Sequence, residues 1–135
     1  MTLLTWNHEC AVGVRAMDDQ HSILLDTLNE LRLALVRGRG REQIVESFDR
    51  LVEFTRMHFG SEEQLLEQAK YPQLEEHRAA HHKLLAEILQ RGRGMQFGEG
   101  AQTHHLLGFL RDSYLDHMGS LDRLYGEYLN DLGIY

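Results

Sequence analysis

Four apolar stripes at helical spacing run along this chain, and each carries at least one histidine on the side of its leucines. His21 lies one turn before the stripe Leu24, Leu25, Leu28, Leu31 and Leu35. His58 and Glu62 interrupt a second stripe that runs from Ile44, Val45, Phe48, Leu51 and Val52 to Leu65 and Leu66. His77 and His81 lie between Leu74 and the later Leu84, Leu85 and Ile88. His117 follows Leu106, Leu107, Leu110 and Tyr114. Residues four apart share a helix face, so His58–Glu62 and His77–His81 each point inward as pairs. Any fold that buries these stripes therefore buries five imidazoles and a carboxylate with them.

An unpaired buried carboxylate is costly, and a bound cation is the usual remedy. Imidazoles suit Zn²⁺, Cu or Fe, and the chain offers more donors than one ion takes. Two metals bridged by carboxylates use the whole set: His21, His58, Glu62, His77, His81, His117 and Asp122. Asp122 is the exception to the spacing. Five residues past His117, it lies about 140° around a regular helix of roughly 3.6 residues per turn. Either residues 117–122 unwind or bulge, which Gly119 eases, or Asp122 merely caps or solvates a last short helix. Spacing leaves both open. His8 falls in the N-terminal arm, His82 points about 100° from His81, and His104 and His105 lie more than three turns before His117. These four are read as non-ligands.

The expected fold is all-α, an up-down-up-down four-helix bundle in one domain spanning 1–135. The first helix opens near Asp18 and Asp19 and stops at Gly38 and Gly40. The second runs from about Arg41 to Lys70, and Pro72 begins the third. The Gly-rich segment 91–100 breaks the chain before a fourth helix from about Ala101 to Met118. A short C-terminal helix packs Leu121, Leu124, Tyr125, Tyr128 and Leu129. The first 17 residues form an extended arm that tucks Trp6, Val12 and Val14 against the bundle.

A net charge of −7 without a basic stripe argues against a nucleic-acid or anionic-membrane surface. Arg37, Arg39 and Arg41, like Arg91 and Arg93, are read as solvated charges in Gly-rich turns at helix ends. Cys10 is the single cysteine, so no intrachain disulfide forms. The N-terminus has neither a basic n-region nor an apolar run, and no stretch approaches the ~20 apolar residues of a span. A cytoplasmic, monomeric protein with no nucleic-acid or membrane partner is the expectation.

With these residues placed, the chain resembles the hemerythrins, and most closely the single-domain bacteriohemerythrins. The resemblance rests on His21 in DDQH, then HFGSE, HRAAH and HMGSLD, with the opening TW and VGV and the late DRLY. It covers nearly the whole chain. It implies a non-haem centre of two Fe ions (Fe²⁺/Fe³⁺) bridged by Glu62, Asp122 and an oxo or hydroxo group. It implies His77, His81 and His117 on one iron, and His21 with His58 on the other, which keeps an open position for O₂. By family position the O₂ pocket comprises Leu24, Phe59, Ser113, Tyr114 and Met118.

One stretch departs from the family's W-L-x-x-H pattern and reads Ser113–Tyr114–Leu115–Asp116–His117. Tyr114 either fills volume that Ser113 vacates, its hydroxyl facing solvent or backbone, or donates a hydrogen bond to a ligand on the iron. The second would move a carrier towards oxidase or peroxidase behaviour. The resemblance implies reversible O₂ binding for storage, transport or delivery rather than an enzyme, with a reductase or an O₂-consuming client as partner. The alternatives are a di-iron enzyme reducing O₂, peroxide or nitric oxide, and an O₂ or redox sensor module.

Overall fold

A computed structural model describes residues 11–38, 40–96 and 100–135, with side chains throughout these except at 94–96 and 100–104. Trp6, His8, Cys10 and Arg39 lie outside the described residues, as does the side chain of His104. The helices are α1 (Arg15–Val36), α2 (Arg41–Gln68), α3 (Leu74–Gln96), α4 (Gly100–His117) and, after one π-helical turn at Met118–Asp122, α5 (Arg123–Asp131). Each of α1 to α3 packs on its successor and α4 returns to α1, which closes a four-helix bundle.

Several boundaries differ from the spacing, each for a local reason. α1 starts at Arg15, one turn early, because Asp18 reaches back to accept the Val12 and Gly13 N–H groups at 2.7 and 3.3 Å. Asp18 thus ties the arm to the first turn instead of opening the helix. α2 ends at Gln68 because Lys70 adopts a left-handed conformation (φ 57°), which lets the Tyr71 N–H reach the Leu66 carbonyl at 2.9 Å. Pro72 lies in the turn ahead of α3, not within its first turn.

The expected break at 91–100 is also displaced, since α3 continues as a helix to Gln96. Gly92 serves close packing rather than a turn: a Cβ there would run into the Phe48 ring. Arg91 is accordingly helical, its guanidinium 4.0 Å from the centre of the Phe109 ring. On α5, Tyr125 and Leu129 are buried and Tyr128 is half-buried, but Leu124 faces outward with 57% of its surface exposed.

Two apolar clusters result. The larger joins Leu24, Leu25, Leu28, Phe48, Leu51, Phe59, Leu110, Tyr114 and Met118, among others. The smaller joins Val12, Val14, Met17, Leu66, Tyr71, Tyr125 and Leu129. Along α1, His21 falls between Met17 of one and Leu24 of the other, and Glu62 falls between Phe59 and Leu66 in the same way. The polar residues thus form a layer between two dry ones.

Candidate metal centre

All seven residues of the expected ligand set converge in that layer, and each is buried, the most exposed being His117 at 8%. His21 arrives from α1, His58 and Glu62 from α2, His77 and His81 from α3, and His117 from the end of α4. Asp122 joins them through the π-helical turn. Its wider winding replaces the expected 140° offset and brings the Asp122 Oδ1 to 3.1 Å from the His117 Nε2. Ser120 donates to the Asp116 carbonyl at 2.6 Å just alongside, and Gly119 is exposed.

The two carboxylates divide the imidazoles between their own oxygens. Glu62 Oε1 lies 2.7 Å from the His77 Nε2 and 3.0 Å from that of His81, while its Oε2 lies 3.1 Å from His58 and 3.5 Å from His21. Asp122 repeats the division: Oδ1 lies 3.1 Å from both His77 and His117, and Oδ2 lies 3.1 Å from His21. Two overlapping groups follow, Glu62, His77, His81, His117, Asp122 and His21, His58, Glu62, Asp122, with the donor atoms of each within 4.8 Å of one another.

Electrostatics and orphaned atoms both suit a cation here. Burial opposes charge on the His21 and His77 rings, but the Asp122 and Glu62 carboxylates outweigh it and raise both to about 9. Burial likewise opposes charge on Glu62 and Asp122, yet the surrounding imidazoles hold both well below the usual carboxylate range, Asp122 despite the further opposition of Glu62. Proximity does not become good hydrogen bonding, however. Both ring nitrogens of His21 and both carboxylate oxygens of Asp122 are buried without a hydrogen bond. Donor atoms set this close together yet left without hydrogen bonds fit metal ligands.

Around this set stand residues that the spacing did not single out. The Tyr125 hydroxyl donates to Glu62 Oε2 at 2.7 Å, and burial, Glu62 and Asp122 push its phenol well up, so it remains a donor. His58 Nδ1 lies 2.6 Å from Gln20 Oε1, and His81 Nδ1 lies 2.9 Å from Glu63 Oε2. A usable signal was available: a ligating imidazole needs a partner for its second nitrogen, and Gln20 and Glu63 each adjoin a ligand position.

Of the expected pocket residues, Leu24, Phe59, Tyr114 and Met118 are buried in one cluster and Ser113 is half-buried. Phe59 stacks face to face on His81, with ring centres 3.8 Å apart, and lies farther, at 6.0 Å, from His58. The Tyr114 hydroxyl faces neither solvent nor backbone; it pairs with the Thr55 side chain.

Comparison with known proteins agrees with this architecture. The profile of the hemerythrin HHE cation binding domain matches residues 12–129. Bacteriohemerythrin of Methylococcus capsulatus is 31% identical, covering 96% of this chain and 99% of that protein. Bacteriohemerythrin of Stenotrophomonas maltophilia is 28% identical, covering 94% and 82%. A crystal structure of wild-type hemerythrin superposes with a TM-score of 0.77 at 30% identity, over 93% of this chain and 97% of that one. Four helices that bring a buried His, Glu and Asp cluster together, and this agreement along almost the full length, establish that the chain belongs to the hemerythrin family.

Proposed function

We propose that this chain, as a single domain, binds O₂ reversibly at a carboxylate-bridged pair of iron ions. The division of Glu62 and Asp122 between two imidazole groups carries the reading: each acid offers one oxygen to His77 and its neighbours and the other to His21. Three imidazoles, from His77, His81 and His117, would hold one metal. Two, from His21 and His58, would hold the other, and this smaller set would leave room for O₂ beside it. When bound, the iron pair supplies the two electrons that O₂ takes up and returns.

The protein's own part is to hold and to dry the site. The buried Leu24, Phe59 and Met118 exclude the water and acid that would make O₂ binding irreversible. Tyr125 keeps one Glu62 oxygen occupied by a neutral donor. A reductase or an O₂-consuming client completes the cycle in the cell, and no described helix is long and apolar enough to cross a membrane.

The test is metal analysis followed by gas exchange. Two irons per chain and recovery of the di-ferrous spectrum when O₂ is removed are expected. Zinc, or a single ion, would overturn the site. Irreversible oxidation with release of peroxide would favour a di-iron enzyme instead.

A further inference from the structure

The two halves of the centre are backed differently. His81 Nδ1 faces the Glu63 carboxylate at 2.9 Å, and Glu63 in turn lies 3.3 Å from the Arg78 guanidinium. Arg78 is itself anchored, 2.6 Å from Glu75 and 3.4 Å from Glu67. On the other side, His58 Nδ1 faces the amide oxygen of Gln20 at 2.6 Å, and the Gln20 amide nitrogen donates to Ser61 Oγ at 3.1 Å. In both cases an acceptor oxygen makes Nδ1 the donor and leaves the Nε2 lone pair for the centre. One imidazole is therefore backed by an acid and the other by a neutral amide.

A carboxylate behind a ligating imidazole fixes its ring and raises its basicity, and an amide fixes the ring with less effect on basicity. We infer that Glu63, held in place by Arg78, is a positioning residue that makes the three-histidine half the stronger electron donor and favours the ferric state there. Gln20 leaves the two-histidine half the weaker donor. The asymmetry lies in the supports as well as in the ligand count. Phe59 reinforces it, since its ring covers the face of His81 and restricts that imidazole to the orientation that Glu63 selects.

This inference rests on the di-iron reading, and the experiment separates the two. Full-length wild type, Glu63→Gln, Arg78→Gln and Gln20→Glu are each loaded with iron. Ferrous affinity is measured by chelator competition, the reduction midpoint by titration, and unfolding without metal serves as the control. Glu63→Gln keeps the shape and removes the charge. It should lose about 10–100-fold in metal affinity and shift the midpoint positive, with metal-free unfolding unchanged. Arg78→Gln should do the same to a smaller extent, and Gln20→Glu should move the midpoint the opposite way. Affinity within twofold of wild type and an unmoved midpoint in both Glu63→Gln and Gln20→Glu would overturn the inference while leaving the di-iron site intact. A wild type that takes up no iron would overturn both.

Discussion

The Tyr114 hydroxyl lies 2.5 Å from Thr55 Oγ1, and Thr55 donates its own proton to the Leu51 carbonyl at 2.7 Å. With the threonine proton used in this way, the phenol is the donor of the pair, and its proton points to α2. Burial pushes the phenol above its ordinary range, so it does not ionise at neutral pH. Tyr114→Phe should cost about 0.5–1.5 kcal/mol of stability, the value of one buried hydrogen bond. Its autoxidation rate should match that of wild type. A clear change in that rate would return the hydroxyl to the ligand pocket.

Glu62→Ala should be among the most damaging single substitutions. It removes the acceptor facing four imidazoles and the Tyr125 hydroxyl together. Loss of one partner from a buried ionic cluster costs about 3–5 kcal/mol, and iron should be lost as well. Iron analysis and thermal unfolding check both. Retention of two irons per chain would show that Glu62 is not a bridge.

Protonation of His21 and His77 gives the metal-free protein a definite pH profile. Both rings rise from 6.5 to about 9 on folding, so their contribution is complete below pH 6.5 and is lost as pH climbs towards 9. Glu62 and Asp122 are shifted down, so their contribution is present above the ordinary carboxylate range and disappears in acid. Unfolding midpoints of the metal-free chain should therefore peak between about pH 4 and 6.5. Metal must displace the imidazole protons, so uptake at pH 7.5 should release about two protons per chain and remove the alkaline decline. Calorimetry in buffers of different ionisation enthalpy measures that release.

Gly126→Ala tests the seat of the arm. A Cβ at that position would collide with the Val12 carbonyl, which is backbone and cannot rotate aside. The Asn130 side chain also donates to the Gly13 carbonyl at 3.0 Å, so arm and α5 are joined at two neighbouring points. About 1–3 kcal/mol should be lost, as for other overpacked sites. Gly119→Ala is the control, since a Cβ there meets nothing.

The helices and the inward histidines were legible because leucines and imidazoles share one period, as along Leu74, His77, His81 and Leu84. Boundaries were less so, because they depend on contacts remote in sequence. Gly92 reads as a breaker until Phe48 is seen to occupy the space its side chain would need. Lys70 carries no sign of its left-handed conformation. Leu124 satisfies the apolar period of α5 yet faces outward, since that short helix has only one neighbour-lined side. The supports Gln20 and Glu63 were only half legible for a different reason: each adjoins a ligand position, but a polar residue there is ordinarily solvated, and only the packed structure shows which one turns back.

The single π-helical turn at Met118–Asp122 makes the interval between His117 and Asp122 a matter of counting. Both residues inside it that face solvent, Gly119 and Ser120, are free to vary in kind, but not in number. Adding one residue would set His117 and Asp122 six apart, about 240° around a helix of ordinary winding, and swing Asp122 out of the cluster, and Tyr125, fixed one turn further on, would leave Glu62 with it. Across this interval the chain therefore tolerates misspelling far better than an added letter. A one-residue insertion there should abolish metal binding even though every donor is still encoded.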